Sequence, residues 1–283
     1  MPSDNHAAPS GNHAEPAVLV EHPAEGITVL RLNRPRRLNA INSELIDGLL
    51  DAVAEVRRDR RCRAVVLTGS GRGFCAGADL AGYGVPRGFD DPRELQRNYA
   101  VQEHLSAAVT SLTSLQVPVV AAVNGPAAGG GMALAAAADI RVVSPDATFT
   151  VAFVKVGLSG CDLGLSWLLP RMIGAGRAYE LMLTGRTVEA EEAGRIGLAN
   201  RVVAADQLLD EALRTAGLIA ANSPWGVRMT KQVMWSQLEV GSLRAGMELE
   251  NRTQVLSTYT GDVTEAMRAF QEKRAPQWAG DQS

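Results

Sequence analysis

Hydrophobic and polar positions follow two patterns along the first two thirds of the chain. Short apolar runs, such as residues 64–68 and 119–123, predict buried strands, whereas stretches with an apolar residue every three or four positions predict helices. One such stretch begins at Asn42 or Ser43, either of which can cap a helix, and it continues to about Arg57. The alternation of the two patterns along the chain predicts an α/β layer in which most strands pair in parallel.

The other elements of this part are predicted in the same way. Residues 18–21 and 27–32 form a hairpin, and residues 81–92, rich in glycine and proline, form an irregular loop. The further predicted strands are 140–143 and 148–150, and the further predicted helices run from about 93 to 115, from the triple glycine at 129–131 to about 138, and over 165–173.

The pattern becomes all-helical from about residue 206. The predicted helices are 207–221, 225–237, 242–258 and 262–273, and this region is too small to bury all its apolar faces alone. Its natural use is a helical lid or an oligomer contact. The chain therefore divides into a disordered tail at 1–16, an α/β core at 17–205 and a helical region at 206–283.

The composition narrows the classes of function. The 283 residues are 46% hydrophobic and 21% charged, and a net charge of −3 without a basic stripe gives no support to a nucleic-acid partner. The basic runs at 34–37 and 57–61 predict solvated surface, although the first could meet a phosphate-bearing ligand. Three cysteines without a C-x-x-C pair indicate neither a zinc site nor a disulfide framework. With no apolar leader in the first 16 residues and no stretch that could span a bilayer, we expect a cytoplasmic protein.

Two glycine-rich turns follow the two clearest strands. Residues 71–80 are Gly-Arg-Gly-Phe-Cys-Ala-Gly-Ala-Asp-Leu, and residues 124–132 are Asn-Gly-Pro-Ala-Ala-Gly-Gly-Gly-Met. We expect each turn to lead into a helix and to leave backbone N–H groups unpaired, with Asp79 capping the first of these helices. If the turns meet, the N–H groups of Ala78 and Gly130 form an oxyanion hole that stabilises one developing negative charge.

Two other interpretations of these turns stay open. Gly71, Gly73 and Ala76 fit part of the dinucleotide fingerprint, but residues 81–92 do not form the second strand that this fingerprint requires. The glycines could also serve only to let a helix and a strand pack closely. That second interpretation explains either turn alone better than it explains the pair.

Short motifs recur along the chain in a fixed order, and in this order they resemble the crotonase (enoyl-CoA hydratase/isomerase) superfamily over about residues 17–275. Each motif is weak by itself, but their order and spacing together are highly specific. The motifs are Leu32-Asn33-Arg34-Pro35, Leu38-Asn39-Ala40, Phe74–Leu80, Asn124-Gly125, Gly129-Gly130-Gly131, Ala138-Asp139-Ile140-Arg141, Gly157-Leu158, Leu183-Thr184-Gly185 with Ala190 and Ala193, Gly197-Leu198 and Phe270-Gln271-Glu272-Lys273-Arg274.

The resemblance implies a fold and a ligand. The fold would be a spiral of ββα units followed by a C-terminal helical region that builds homotrimers, often paired into hexamers. The substrate would be an acyl-CoA thioester whose carbonyl oxygen is held by Ala78 and Gly130, with no metal and no cofactor beyond the coenzyme A of the substrate. The implied substrate contacts are Arg36, Arg37, Leu38, Ala76, Ala78, Asp79, Leu80 and Gly130, with Phe270 and Lys273 at the nucleotide end, in many members from a neighbouring subunit.

The chain departs from the hydratases of this family at two positions. Their two glutamates correspond here to Ala133 and Phe153, and neither side chain can transfer a proton. Asp162, in the glycine-rich turn at 157–164, resembles the acid/base aspartate that some members, the dienoyl-CoA isomerases among them, carry in a similar turn. The alternative role for Asp162 is an N-cap of the following helix.

A single carboxylate favours a reaction that one group can complete. We therefore expect an enolate-forming enzyme in which Asp162 moves a proton between two carbons, with isomerisation of a double bond slightly favoured over hydration. Hydration would need a second group, for which Glu94, Tyr99 and Glu103 are candidates. The alternative from another class is a catalytically silent acyl-CoA-binding homologue. A nucleophilic role for Cys161 has little support, because no histidine lies near it in the sequence.

Overall fold

A six-stranded sheet forms the centre of the computed structural model, which describes residues 15–89 and 93–278. Strands β1 (Val18–Ala24) and β2 (Ile27–Leu32) form the predicted antiparallel hairpin, and β2 pairs in parallel with β3 (Ala64–Gly69). The sheet continues in parallel through β4 (Val119–Val123), β6 (Ile140–Val143) and β9 (Arg201–Val202). The α/β layer with largely parallel pairing is thus confirmed.

A smaller sheet lies beside the second glycine turn. Strand β5 (Ala127–Ala128), which is part of that turn, pairs in parallel with β7 (Thr148–Thr150), and β7 pairs antiparallel with β8 (Thr187–Glu189). Because β5 pairs with β7, the second turn is anchored in the smaller sheet. The strand that leads into this turn, β4, belongs to the six-stranded sheet.

Ten helices accompany the two sheets in the described ranges. The first begins where the sequence predicts, because the side chain of Asn42 accepts a hydrogen bond from the Leu45 N–H. The helices are α1 (Ser43–Arg58), α2 (Glu94–Thr113), α3 (Gly130–Ala137), α4 (Leu165–Ile173), α5 (Ala175–Thr184), α6 (Ala190–Ile196), α7 (Leu208–Ala220), α8 (Pro224–Gln237), α9 (Leu243–Ser257) and α10 (Asp262–Glu272).

Both faces of the six-stranded sheet are buried. Leu30, Leu67 and Val123 point to one face and belong to the main core, which includes apolar side chains of α1 to α4. The opposite face carries Val29 and Val66, which pack in a second cluster with residues of α7. Since a parallel sheet is stable only when both faces are covered, α7 completes the core of the sheet although it follows residue 206. The division of the chain at 205/206 stays a prediction.

The three C-terminal helices leave large apolar side chains in solvent. Leu243 is 82% exposed, Tyr259 is 83% exposed and Phe270 is 85% exposed. Large apolar side chains that are exposed in one region of a protein are typical of a surface that another molecule covers. The predicted trimer or dimer of trimers would supply such a cover, and this assembly stays a prediction.

Two further predictions concern the ends of the chain and the membrane. Residues 1–14 of the predicted N-terminal tail lie outside the described residues, as do residues 90–92 of the predicted loop. Residues 81–89 contain no helix or strand, as predicted. Within the described ranges, no helix is long and apolar enough to cross a membrane.

Candidate functional site

The two glycine turns lie side by side. Cys75 in the first turn donates its N–H to the carbonyl of Pro126 at 3.0 Å and accepts from the N–H of Ala128, also at 3.0 Å. On its other side, the N–H of Ala76 donates to the carbonyl of Leu38 at 3.0 Å. Residues 75–79 therefore run between the segment 38–41 and the second turn.

Missing side chains make this close approach possible. A Cβ atom on Gly131 would overlap the backbone carbonyl oxygen of Cys75, and one on Gly77 would lie 2.7 Å from the carbonyl oxygen of Ala128. Gly77 also has a φ of +88°, which L-residues rarely adopt. The sequence left open whether close packing is the only role of these glycines. It is one of their roles, because it brings the two turns into contact.

Two asparagine side chains fix the path of the first turn. Asn39 is fully buried, and its Nδ2 donates to the carbonyls of Ser70 at 3.0 Å and Gly73 at 2.8 Å. Asn124 donates from its Nδ2 to the carbonyl of Gly71 at 2.8 Å. Each amide satisfies carbonyls that no regular ladder reaches, because the turn belongs to neither sheet. The family motifs contain both asparagines, but the sequence alone gave them no role.

The N–H of Ala78 points into the space beside the second turn. Gly77 accepts a hydrogen bond from the N–H of Ile41 at 2.7 Å, and in a trans peptide the following N–H points the opposite way. The Ala78 N–H is therefore directed away from residues 38–41. It donates to no protein atom in the part of the chain that the structure describes.

The backbone nitrogen of Gly130 lies close to the first turn. It belongs to the first residue of α3, where the helix leaves its N–H groups without an intrahelical acceptor and the helix dipole is positive. The Gly130 nitrogen would be 3.6 Å from a Cβ atom placed on Gly77. The two predicted oxyanion donors are thus brought together, and each is free of a protein acceptor among the described residues.

The surroundings of Gly130 are apolar. A Cβ atom on Gly130 would lie 2.7 Å from Cδ1 of Ile41 and 3.3 Å from Cδ1 of Leu163, and the ring of Phe153 would lie 3.5 Å from a Cβ atom on the preceding Gly129. Glycine at 130 therefore makes room for protein side chains as well as for a ligand. An apolar wall lowers the local dielectric, which strengthens hydrogen bonds to a developing charge.

Asp162 lies next to this wall, since it directly precedes Leu163. Its Oδ1 accepts hydrogen bonds from the Leu163 N–H at 2.8 Å and from Nε2 of Gln102 on α2. Its Oδ2 accepts no hydrogen bond within residues 15–89 and 93–278. The carboxylate is thus held through one oxygen while the other remains available.

The backbone at Asp162 differs from the predicted helix cap. The N-cap of α4 is Gly164, and it is the backbone carbonyl of Asp162, not its side chain, that accepts from the Leu165 N–H at 2.9 Å. Leu163 has a φ of +47°, an uncommon conformation for a leucine that costs about 1 kcal/mol. Strained residues of this kind cluster at functional sites. The N-cap interpretation of Asp162 is wrong.

Asp79 is also not a helix cap, because the described residues between the first turn and α2 contain no helix. It forms a salt bridge with Arg34 at 2.9 Å and accepts from the Ala81 N–H at 3.0 Å. These two donors, the Ala81 N–H foremost, hold the pKa of Asp79 below its ordinary value. Asp79 is thus an ionised anchor for the end of the turn. Within the same turn, Cys75 and Ala78 form isolated bridges, with Ala127 and Ile41 respectively.

The predicted coenzyme A contacts fall into two groups. The first group surrounds the first turn: Arg36 and Arg37 are exposed in a short 3-10 turn, Leu38 bonds Ala76, and Leu80 is 91% exposed. The second group, Phe270 and Lys273, lies at the end of α10, and both side chains are exposed, so Phe270 is not a core aromatic residue. No ligand is described for either group, and the contacts stay predictions.

The other candidates do not join the site. Glu94, Tyr99 and Glu103 are all exposed on α2, and the residue of this helix that reaches Asp162 is Gln102, which sequence reasoning missed. Cys161 is exposed and has no histidine partner in the described chain. Asp139 is structural, because it forms a salt bridge at 2.8 Å with the buried Lys231. Across the described ranges, no three His, Cys, Asp or Glu side chains cluster as metal ligands.

Known proteins resemble this chain over most of its length. The family model described as Enoyl-CoA hydratase/isomerase matches residues 22–281. "Probable enoyl-CoA hydratase EchA12" of Mycobacterium tuberculosis is 45% identical over 265 residues, which are 93% of each chain. The "1,2-epoxyphenylacetyl-CoA isomerase" of Escherichia coli is 37% identical over 262 residues, 93% of this chain and 98% of that one.

A solved structure shares the fold over nearly the same range. The crystal structure of a probable enoyl-CoA hydratase/isomerase from Mycobacterium abscessus superposes with a TM-score of 0.87 at 39% identity, covering 93% of this chain and 99% of that one. The expected α/β fold of the crotonase type is confirmed, and so is an enzyme of this class. The chain belongs to the enoyl-CoA hydratase/isomerase family.

Proposed function

We propose that this enzyme isomerises a double bond of an enoyl-CoA thioester, with Asp162 as its proton shuttle. The observation that carries the proposal is the arrangement of two unpaired N–H groups, those of Ala78 and Gly130, beside a carboxylate with one free oxygen. The N–H pair suits the oxygen of a thioester enolate, and Oδ2 of Asp162 suits the proton that leaves the carbon next to it.

The reaction runs in two steps on a 3-enoyl-CoA. Oδ2 of Asp162 takes the proton from C2, and the electron pair of that C–H bond passes into the thioester, so that a dienolate forms with its negative charge on the carbonyl oxygen. The Ala78 and Gly130 N–H groups hold that oxygen. The carboxylic acid then returns the proton to C4, which gives the 2-enoyl-CoA and restores the carboxylate. Proton and electrons balance, so the reaction needs no cofactor beyond the coenzyme A of the substrate.

The positions of Ala133 and Phe153 favour isomerisation over hydration. Ala133 is fully buried in α3, and the ring of Phe153 packs beside Gly129, so both places where the family resemblance expects a glutamate are apolar. Hydration requires one group to activate water and another to protonate carbon, whereas isomerisation needs one. Among the relatives, the isomerase of Escherichia coli is consistent with this choice, since its name describes an isomerisation of an acyl-CoA.

The environment of Asp162 supports its role as a base. Both hydrogen bonds to Oδ1 orient the carboxylate, and neither occupies Oδ2. Gln102 is neutral, so it positions Asp162 without the salt bridge that an arginine or lysine would form. We infer that Gln102 fixes the rotamer of Asp162 and leaves Oδ2 free to meet the substrate.

Turnover of a panel of substrates tests the proposal. Purified protein is incubated with 2-enoyl-, 3-enoyl- and dienoyl-CoA thioesters, and products are separated by mass and retention time. We expect conversion of the 3-enoyl-CoA to the 2-enoyl-CoA at equal mass, and an increase of one water would instead indicate hydration. Binding of acyl-CoA without turnover of any member would contradict the proposal and leave the silent homologue.

A further inference from the structure

Three half-buried polar side chains, those of Tyr83, His104 and Asp47, are linked to one another, starting in the loop that follows the first turn. Nε2 of His104 on α2 lies 3.0 Å from Oδ1 of Asp47 on α1, and Nδ1 of His104 lies 2.9 Å from the hydroxyl of Tyr83 in the loop. The side chains of His104 and Asp47 are only 12% and 19% exposed. None of the three belongs to a family motif or to the site described above.

The direction of these hydrogen bonds follows from the charges. In the tautomer of His104 whose Nε2–H donates to Asp47, Nδ1 is the acceptor for the Tyr83 hydroxyl. Burial, and to a smaller extent the charge of Asp47, raises the pKa of Tyr83 far above its ordinary value. Tyr83 therefore stays protonated and serves as a hydrogen-bond donor.

The loop that carries Tyr83 directly follows the first turn. It leaves Ala78 and Asp79, and the carbonyl of Tyr83 accepts from the Ser43 N–H at the start of α1 at 2.7 Å. The Tyr83 side chain also packs against the main core. The loop is thus held to α1 through its backbone and to both α1 and α2 through its side chain.

Helix α2 connects these three side chains to Asp162. Gln102, two residues before His104, faces Asp162. The hydrogen bond between His104 and Tyr83 therefore ties the helix that orients the base to the loop that follows the oxyanion donor. Breaking it would allow Ala78 and Asp162 to move relative to each other.

We propose that Tyr83, held by His104 and Asp47, is a positioning residue for the reaction, which fixes the separation between the Ala78 N–H and Asp162. This inference rests on the proposed function, because it assumes that both groups act on one substrate. A loss of alignment affects the transition state more than the bound substrate, so kcat falls while KM changes little.

Three variants separate the hydrogen bond between Tyr83 and His104 from the contact between His104 and Asp47. Tyr83→Phe keeps the ring and removes the donor. His104→Asn places its Oδ1 where Nδ1 was and keeps the acceptor for Tyr83, whereas His104→Gln places its Nε2 where the imidazole Nε2 was and keeps only the contact with Asp47. Tyr179→Phe is the matched control, because Tyr179 is 68% exposed and donates no hydrogen bond in the described part of the protein.

We expect Tyr83→Phe and His104→Gln to lower kcat about tenfold with KM little changed, and His104→Asn to retain most of the activity. A higher kcat for His104→Gln than for His104→Asn, or full activity of Tyr83→Phe, would overturn the inference. Tyr179→Phe sets the variation expected from loss of an exposed hydroxyl.

Amide hydrogen exchange gives a second readout that needs no turnover. The N–H groups of Asp79, Gly82 and Ser43 all bond backbone carbonyls of the loop or its neighbours, so their exchange reports how firmly the loop is held. We expect exchange at these amides to become about tenfold faster in Tyr83→Phe, and unchanged exchange would overturn the inference. A wild-type protein without turnover would refute the proposed function, while the exchange experiment would still decide whether Tyr83 holds the loop.

Discussion

The two glycine turns present the same chemical group by different physical means. In the second turn, Gly130 has a free N–H because it begins a helix, and any helix leaves its first N–H groups unpaired. In the first turn, the Ala78 N–H has no acceptor among the described residues, because Gly77 accepts from Ile41 in the opposite direction. No helix follows this turn within residues 81–89. The second donor is therefore a consequence of secondary structure, whereas the first depends on individual tertiary contacts.

This difference explains why the first turn has more anchors. Asn39, Asn124 and the Arg34–Asp79 salt bridge all hold it, whereas the second turn is held by the ladder of β5 and by α3. A structure without a ladder of its own needs side chains to satisfy its backbone groups. Three substitutions test the contact between the turns, then the donor of the first turn, then one of its anchors.

Gly131→Ala should produce the largest effect. The added Cβ atom would overlap the carbonyl oxygen of Cys75, a backbone atom that cannot move without separating the turns. We expect a loss of about 3 kcal/mol or more in the free energy of unfolding, or failure to fold, as measured by urea denaturation. Gly217→Ala is the control, because its Cβ atom on α7 would meet nothing within 4 Å. A Gly131→Ala protein as stable as this control would show that the turns are not in close contact.

Ala78→Pro should affect activity more than stability. The Ala78 N–H has no protein acceptor among the described residues, so its removal breaks no structural hydrogen bond. We expect kcat to fall by about 10²- to 10³-fold, as for other oxyanion donors, with the melting temperature measured in parallel. An unchanged kcat in a folded protein would mean that the first turn does not hold the substrate oxygen.

Asp79→Asn should produce a smaller effect that depends on pH. Because the folded state lowers the pKa of Asp79, its contribution to stability is present above the unfolded pKa of about 3.9 and is lost as the pH falls through the lower folded value. We expect the variant to be less stable than the wild type at pH 7, and the difference to shrink towards pH 2. Urea midpoints across this range test it, with the exposed Asp146→Asn as control. A difference that does not depend on pH would exclude an ionic role.

The sequence predicted the second turn better than the first. Local signals, namely an apolar run, three glycines and an alanine-rich stretch, suffice for a strand followed by a helix start. In the first turn, Asp79 pairs with Arg34, which is 45 positions away in the chain, so local signals wrongly predicted a helix cap. The short strands β8 and β9 were also missed, because two or three residues carry too little pattern.

The same limit applies to the candidate site. The family resemblance of its glycine-rich turn pointed to Asp162, whose role stays a prediction. Gln102 was missed, because its contact depends on which face of α2 meets a turn 60 residues later. An exposed polar residue in a helix carries no sequence signal of such a contact. Sequence reasoning instead considered Glu94, Tyr99 and Glu103, whose chemistry is stronger but whose side chains are exposed.

The most direct test of the central claim follows the proton that Asp162 is proposed to move. A 3-enoyl-CoA with deuterium at C2 is incubated with the wild type, Asp162→Asn and Asp146→Asn, and the label is measured by mass spectrometry in substrate and product. We predict that the wild type and Asp146→Asn remove the label at equal rates and transfer part of it to C4, and that Asp162→Asn is slower in both by about 10²-fold or more. Removal of the C2 label by Asp162→Asn at the wild-type rate would contradict the account.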